Sequence, residues 1–390
     1  MAHVIVLGGG FGGLAAAHEL RQELPDEHRV TLVAADDRFF VGFAKLWDLV
    51  GTRPLEEGTG RLDALAGYGI AYVEATITRI DPERRRVETS VGAYDADFLV
   101  VALGATDALG PLDGLQGVAY DLYDPEALPA MRAALGRLDA GRLVVPVLGG
   151  PYKCPPAPYE AAFLLDEHLR RRGVRDRVEV VVTTPLPTSL PAAGSEVSDM
   201  VARALAERDI ELRTGLALEA IDAEDQTLRF VGGATLSYTL ALAVPEATPP
   251  VVVAESALAG NGGWIWPDRA SARTRFERVY AAGDCTSRGR LAEGRSVRRG
   301  DGEGGGPQHR LRAHRQRRRP LRRLRLLLPR VRRAARVGPR GEILRRARPR
   351  GPSGRARHCD LHPPRWPSKL SGCGSGSECD PARTSPRRPR

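Results

Sequence analysis

His3-Val4-Ile5-Val6-Leu7-Gly8-Gly9-Gly10-Phe11-Gly12-Gly13, near the start of the chain, is the stretch that decides the fold. Its first five residues form a short apolar run that is typical of a buried strand. The glycines fit the pattern G-x-G-x-x-G, and residues 14–24 carry apolar side chains at helical spacing. A strand, a glycine turn and a helix in this order predict the opening unit of a dinucleotide-binding fold.

Each glycine of the pattern has a separate predicted role. Gly8 allows the tight turn, Gly10 lets backbone amides approach a pyrophosphate, and Gly13 lets the helix lie close to the strand. Phe11 and Gly12 complete the predicted cofactor-binding loop. A glycine-rich turn without a ligand is the alternative, and the strand and helix on either side favour the cofactor loop.

The second predicted strand, residues 30–33, normally ends at an acidic residue that binds the adenosine ribose. Ala34 stands at that place, and the acids follow at Asp36 and Asp37. We therefore expect the ribose contact to be displaced to Asp36 or lost to water. An ordinary solvated turn explains either aspartate equally well.

Two later segments point to FAD. Residues 96–105 form an apolar strand that ends in a small-residue turn at Gly104, and residues 279–286 form a second strand that ends at Gly283-Asp284. With these motifs in this order, the chain resembles the FAD-dependent pyridine-nucleotide-disulfide-reductase-like superfamily. The resemblance implies that Asp284 binds the ribityl chain of FAD and that Gly283 allows close backbone approach.

Residues 113–245 predict a second α/β unit, with strands near 142–148 and 178–183 and helices near 159–172 and 197–207. Its opening loop departs from the nicotinamide-binding pattern. Pro151 and Pro155 stand where a pyrophosphate needs backbone amide donors, and proline has none. The sequence therefore disfavours a nicotinamide site here and places a thiol, Cys154, at the turn instead.

Within the superfamily, residues 149–160 resemble the sulfide:quinone oxidoreductases and the flavocytochrome c sulfide dehydrogenases. In those proteins a cysteine at this place joins a second cysteine from the C-terminal domain at the flavin, where sulfide is oxidised. The resemblance implies that Cys154 is the catalytic residue. It also implies that sulfide or a related small sulfur species is the substrate, and that quinone or a c-type cytochrome accepts the electrons.

The chemistry expected at Cys154 is thiol–disulfide exchange. The thiolate is the reactive form of cysteine, and we expect the adjacent Lys153 to favour it electrostatically. An inert buried cysteine is the alternative, and packing is the simpler interpretation of Cys285. Because no cysteine precedes Cys154, a covalent link to an N-terminal-half cysteine is absent and FAD should bind noncovalently.

The chain is acidic in its body and basic in its tail. Residues 1–296 hold 30 Lys+Arg and 42 Asp+Glu, whereas residues 297–390 hold 28 and 6. A tail rich in Arg, Pro and Gly is typical of disorder or of a basic interaction segment. Cys359, Cys373 and Cys379 in this tail have no metal-ligand spacing, so no metal site is expected.

A shift of the reading frame near residue 297 explains the tail better. In the shifted frame, each new codon consists of the last two bases of one codon and the first base of the next. With suitable third bases, residues 321–332 can then read YDGYGYCFLEFG. Residues 306–310 can read AHNIA, and residues 343–350 can read FFAEPDPE. These strings resemble, in order, the C-terminal segment of the sulfide dehydrogenases. In the restored frame Leu327 reads as a cysteine, the partner that Cys154 lacks.

The sequence thus predicts an α/β protein with two Rossmann-like dinucleotide-binding domains. Residues 1–112 and 246–296 form the FAD-binding domain, residues 113–245 the inserted one, and residues 297–390 a disordered or irregular basic tail. The expected activity is FAD-dependent sulfide oxidation. A type II NADH:quinone oxidoreductase and an inactive pseudoenzyme remain alternatives, while binding of nucleic acid through the tail is not favoured.

The expected location follows from the first residues and from the family. Since the chain opens directly into a strand rather than a signal peptide, a cytoplasmic location is expected. Peripheral contact with the inner face of the membrane is an alternative for the frame-corrected form.

Overall fold

A computed structural model describes residues 1–108, 110 and 119–287 of the chain. The helices of this part are α1 (Phe11–Glu23), α2 (Ala44–Leu49), α3 (Leu128–Arg137), α4 (Ala157–Arg171), α5 (Ser195–Ala206) and α6 (Val251–Ala254). The first ten strands are β1 (His3–Leu7), β2 (Arg29–Ala34), β3 (Arg38–Phe40), β4 (Thr59–Arg61), β5 (Ala71–Glu74), β6 (Ile77–Asp81), β7 (Arg86–Thr89), β8 (Gly92–Asp95), β9 (Phe98–Val101) and β10 (Thr106–Ala108).

The remaining strands of the described chain are β11 (Ala119–Asp121), β12 (Gly141–Pro146), β13 (Val178–Thr183), β14 (Ile210–Arg213), β15 (Leu218–Asp222), β16 (Thr227–Phe230), β17 (Thr235–Ser237), β18 (Leu240–Ala243), β19 (Glu246–Thr248) and β20 (Val279–Ala281). Short 3-10 turns connect several of these elements, at Leu55–Gly58, Asp63–Tyr68, Arg175–Arg177, Pro191–Ala193 and Asn261–Gly263.

The first large sheet is parallel and has the strand order β20-β9-β1-β2-β5. Its central strands are buried on both faces, which is why they read as continuous apolar runs rather than as alternating ones. Helix α1 covers one face through Ala16, Ala17 and Leu20. The antiparallel sheet β6-β7-β8 and helix α6 cover the other, where Val87 and Val253 pack against β1 and β9.

The second large sheet repeats this layered plan. Its strands run parallel in the order β11-β18-β12-β13-β14. Helices α3, α4 and α5 lie on one face, and the antiparallel sheet β15-β16-β17 lies on the other, where Phe230 and Leu236 pack against Val144 and Val181. The prediction of an α/β fold with two Rossmann-like sheets is therefore confirmed.

Two contacts join the sheets and fix the geometry between them. Strands β10 and β19 pair antiparallel, so the chain leaving the first sheet lies beside the chain leaving the second. Helix α2 lies in sequence between strands β2 and β5 of the first sheet but packs into the core of the second. There Asp48 forms a 2.8 Å ion pair with Arg132 on α3. The loops after β1, β9, β11, β12 and β20 consequently surround one cavity.

Some predictions lie outside what the structure tests. The domain boundaries at residues 112 and 245 stay a prediction, and the tail of residues 297–390, including Leu327 and the three tail cysteines, lies outside the described residues. Within residues 1–108, 110 and 119–287, no helix is long and apolar enough to cross a bilayer.

Candidate functional site

The glycine turn between β1 and α1 is packed closely against neighbouring backbone atoms. Gly8 has φ of +107°, and a Cβ there would lie 2.2 Å from the carbonyl oxygen of Ala102. A Cβ on Gly13 would lie 1.9 Å from the carbonyl oxygen of Gly8. Both positions therefore require glycine so that β1, β9 and α1 can approach one another.

Gly10 lies in different surroundings. A Cβ there would meet nothing within 4 Å, although Gly10 caps the amino end of α1. The first turn of α1 carries no acidic residue, and no side chain caps it. A 13-residue helix whose amino end is open and has no side-chain cap presents backbone N–H groups and a partial positive charge, which together suit a pyrophosphate.

The two later glycine turns lie beside this helix. Gly104 and Gly283 have φ of +68° and +78°, values that favour glycine. A Cβ on Gly12 would lie 3.7 Å from the Cα atom of Gly283, so the turn after β20 lies against the start of α1. Asp284 is exposed at the cavity, whereas the next residue, Cys285, is fully buried and fits the packing interpretation.

Asp36 occupies an exposed turn after β2. The Tyr72 hydroxyl donates a 2.6 Å hydrogen bond to the Asp36 carbonyl oxygen and so fixes the backbone of the turn. Neighbouring Asp37 is engaged by ion pairs with Arg38 and Arg61, at 3.5 and 3.2 Å. Of the two aspartates, Asp36 is the more exposed.

The cavity between the sheets has a volume of about 650 Å³. Volumes of this size are usual for cofactor sites. Its wall is mostly apolar, and it brings Phe11 and Asp284 from the predicted FAD motifs to the same space as Cys154. The other lining residues are Phe40, Gly42, Phe43, Lys45, Leu46, Ala105, Leu122, Tyr123, Pro151, Tyr152, Lys153, Pro155, Ala157, Ala247 and Trp264.

Cys154 is held in a strained position on the wall of this cavity. Its φ of +52° lies in the left-handed region, which is uncommon for a residue with a side chain. Its carbonyl oxygen accepts a 2.8 Å hydrogen bond from the Ala157 amide at the start of α4. The Ala247 amide on β19 donates to the Pro151 carbonyl at 2.6 Å. The loop is thus anchored on both sides of the exposed thiol.

The expectation that Lys153 lowers the thiol pKa is wrong. Burial raises the pKa of the Cys154 thiol above its usual value, and the carboxylates of Glu160 and Asp284 add to the rise. The thiol reaches the cavity surface, but the surrounding protein still excludes much of the water that would solvate a thiolate. Lys153 does not offset this, because its ammonium pairs with Asp107 at 2.6 Å.

Sequence reasoning missed Lys45 on α2. This half-buried side chain lines the cavity, and its ammonium donates a hydrogen bond to the Tyr123 carbonyl. The nitrogen lies 5.5 and 5.2 Å from the ring centroids of Phe40 and Tyr123. A lone lysine in the apolar stretch 43–49 was the available signal, but lysines on helices are usually solvated.

The glycine turn at Gly149-Gly150, which follows β12 and is called the second glycine turn below, has different surroundings from the turn between β1 and α1. A Cβ on Gly149 would lie 2.7 Å from a carboxylate oxygen of Glu246, which follows β18, whereas the space beside Gly10 is open. A carboxylate against the turn, together with Pro151 and Pro155, is unfavourable for the pyrophosphate of a nicotinamide dinucleotide.

Comparison with known proteins identifies the family. The pyridine nucleotide-disulphide oxidoreductase family matches residues 2–316. The chain belongs to this family. Flavin binding follows from that membership and from the fold, and the glycine turn, the open end of α1 and the cavity fit an FAD.

The relatives that the chain resembles include both sulfide:quinone and NADH:quinone oxidoreductases. The chain is 24% identical to the mitochondrial sulfide:quinone oxidoreductase of Mus musculus, over 73% of this chain and 65% of that protein. It is 25% identical to a type II NADH:quinone oxidoreductase of Staphylococcus haemolyticus, over 56% and 57%. The chain therefore spans less than two-thirds of the length of either relative.

The solved sulfide:quinone oxidoreductase of Aquifex aeolicus superposes with a TM-score of 0.67 at 25% identity. The likeness covers 73% of this chain and 69% of that one. About a quarter of the present chain thus has no counterpart in that superposition.

Proposed function

We propose that this protein is an FAD-dependent oxidoreductase that oxidises sulfide, or a related small sulfur species, through Cys154 and passes the electrons to quinone. One observation carries the proposal. The loop after β12 presents a strained, exposed thiol to the same cavity that Phe11 and Asp284 line. The likeness to sulfide:quinone oxidoreductases supports it.

The proposed cofactor-binding residues each contact a different part of the FAD. Gly8, Gly10 and Gly13, with Phe11 and Gly12 between them, hold the pyrophosphate at the amino end of α1. Asp36 contacts the adenosine ribose. Asp284 binds the ribityl chain, with Gly283 allowing close backbone approach, and the turn at Gly104 also contacts the FAD. These residues fall in the proposed FAD-binding domain, residues 1–112 and 246–296, and Cys154 falls in the inserted domain, residues 113–245. No covalent link to the protein is required.

The proposed chemistry uses Cys154 as one half of a disulfide. Hydrosulfide attack forms one S–S bond and breaks another, so that a persulfide and a thiolate result. When the disulfide re-forms, the S–S bond of the persulfide breaks, its outer sulfur leaves on a second hydrosulfide as hydrodisulfide (HSS−), and two electrons and one proton are released. A bound FAD would accept the electron pair and pass it to quinone. A c-type cytochrome is the second proposed acceptor, and peripheral membrane contact would serve the first.

The second candidate function, NADH oxidation, is favoured by the likeness to a type II NADH:quinone oxidoreductase. It requires a nicotinamide dinucleotide at the second glycine turn. The carboxylate of Glu246 against Gly149, and the missing amides of Pro151 and Pro155, oppose that binding. A third candidate, a folded but inactive chain, applies to the polypeptide as written if Cys154 has no partner.

A comparison of three polypeptides tests the proposal. Sulfide-dependent quinone reduction should be catalysed by the frame-corrected protein and lost in its Cys154→Ser variant, which should keep its flavin. The polypeptide as written should be inactive. Equal turnover by the uncorrected chain would contradict both the disulfide chemistry and the assignment of the partner to position 327.

A further inference from the structure

We propose that Lys45 forms an anion-binding subsite in the cavity and that its ligand is a small anionic sulfur species, such as hydrosulfide. The identity of this ligand rests on the proposed function. The subsite itself rests on the surroundings of the Lys45 ammonium, which the cavity shares with the Cys154 thiol.

The Lys45 ammonium lacks a close counter-ion in the described part of the chain. No carboxylate there lies within 4 Å of it, and its contacts are the Tyr123 carbonyl and the faces of two rings. Carbonyl and ring contacts stabilise the cation without neutralising it. An ammonium with a polar hydrogen still to share, in an apolar cavity, is a favourable place for an anion.

Lys153 cannot take this role, although it lines the same cavity. Its ammonium pairs with Asp107 at 2.6 Å, and that contact offsets its charge. Its main chain is also fixed, because the Tyr123 hydroxyl donates to the Lys153 carbonyl at 2.6 Å. Tyr123 therefore lies between Lys45, which has no ion pair within 4 Å among the described residues, and Lys153, which has one.

The charge of Lys45 is sensitive to pH. Burial, and then the charge of Lys153, lower the pKa of its ammonium to about 8, against the opposing effect of Asp107, Asp121 and Asp124. The group is charged below that pH and neutral above it. Burial also raises the pKa of Asp121 to about 6, so a negative charge develops nearby as pH rises through that value. Anion attraction should therefore weaken in two separate steps as pH rises.

The rate of alkylation of Cys154 measures this attraction in the polypeptide as written. Iodoacetate is anionic and iodoacetamide is neutral, but both react with the thiolate. The ratio of their rates therefore cancels the thiolate fraction and reports the local electrostatic potential. Peptide mass spectrometry separates Cys154 from buried Cys285 and from the cysteines of the tail.

We expect Lys45→Met to lower the iodoacetate-to-iodoacetamide ratio at Cys154 roughly two- to fivefold at pH 7, because one nearby positive charge is removed. Lys45→Arg should keep the ratio, and it should abolish the step near pH 8 while leaving the step near pH 6. Lys153→Met is the matched control: it removes a cation that acts on Lys45 and frees Asp107, so the step near pH 8 should move to higher pH rather than disappear.

Two results would overturn the subsite: an unchanged ratio in Lys45→Met, or a step near pH 8 that persists in Lys45→Arg. If Lys45→Met misfolds, Cys285 will become reactive, and the pH profiles of the unmutated chain and Lys45→Arg then decide. The test does not depend on turnover. A lowered ratio in a protein that sulfide cannot reduce would retain the anion subsite and reject the proposed substrate.

Discussion

Two alanine substitutions in the glycine turn should separate folding from cofactor binding. In Gly13→Ala the new Cβ would lie 1.9 Å from the Gly8 carbonyl oxygen, whereas ordinary contacts begin at 3.4 Å. Helix α1 and strand β1 must then move apart by about 1.5 Å. In Gly10→Ala the new Cβ meets no protein atom within 4 Å and instead enters the space proposed for the pyrophosphate.

The expected magnitudes follow from these contacts. Overpacking of a closed site costs about 1–3 kcal/mol, so Gly13→Ala should lower the melting temperature of the flavin-free chain by roughly 3–10 °C. Gly10→Ala should leave that temperature nearly unchanged. The FAD affinity of Gly10→Ala should instead fall on the order of ten- to a hundredfold, which corresponds to about 1.4–2.8 kcal/mol of binding free energy.

Differential scanning calorimetry of the flavin-free proteins and FAD titration by fluorescence quenching measure the two effects. Gly12→Ala is the matched control for the melting temperature alone, because its Cβ would meet only ordinary contacts of 3.6–3.7 Å. If Gly10→Ala binds FAD as tightly as the unmutated chain, or melts as low as Gly13→Ala, the placement of the pyrophosphate beside Gly10 is refuted.

Three further predictions concern the flavin, the thiol and the gene. Acid precipitation of the holoprotein should release all the flavin into the supernatant, and yellow colour kept in the pellet would refute noncovalent binding. Glu160→Gln should lower the raised pKa of Cys154 and speed its alkylation by iodoacetamide at pH 7, because one carboxylate that disfavours the thiolate is removed; an unchanged pH profile would show that Glu160 does not contribute to this pKa. Resequencing codons 290–350 should show a base inserted or deleted near codon 297 and a cysteine codon at position 327, whereas an intact reading frame would contradict that reconstruction.

The sequence was sufficient for features that local chemistry determines. The glycine turn of β1 and α1 could be predicted because tight turns and close helix packing select glycine at fixed spacing. The apolar runs of β9 and β20 indicated buried parallel strands for a similar reason. Cys154 could be placed on the loop between β12 and α4 because the apolar spacing on either side predicted that strand and that helix.

The electrostatics of the site could not be predicted in this way. Lys153 is adjacent to Cys154 in sequence, yet its ammonium pairs with Asp107, 46 residues away. Asp107 lies on β10, which pairs with β19. Lys45 reaches the cavity only because α2 packs into the core of the second sheet. Such contacts depend on tertiary packing, and no local pattern encodes them.

The most direct test of the proposed function is the identity of the electron donor. The flavin of the frame-corrected protein should be mixed anaerobically with sulfide, and separately with NADH, while its absorbance is followed by stopped flow. Rapid bleaching by sulfide and none by NADH is the predicted result, since Cys154 and the Glu246 carboxylate stand at the second glycine turn. Rapid bleaching by NADH, with sulfide inert, would contradict the proposal and indicate a type II NADH dehydrogenase.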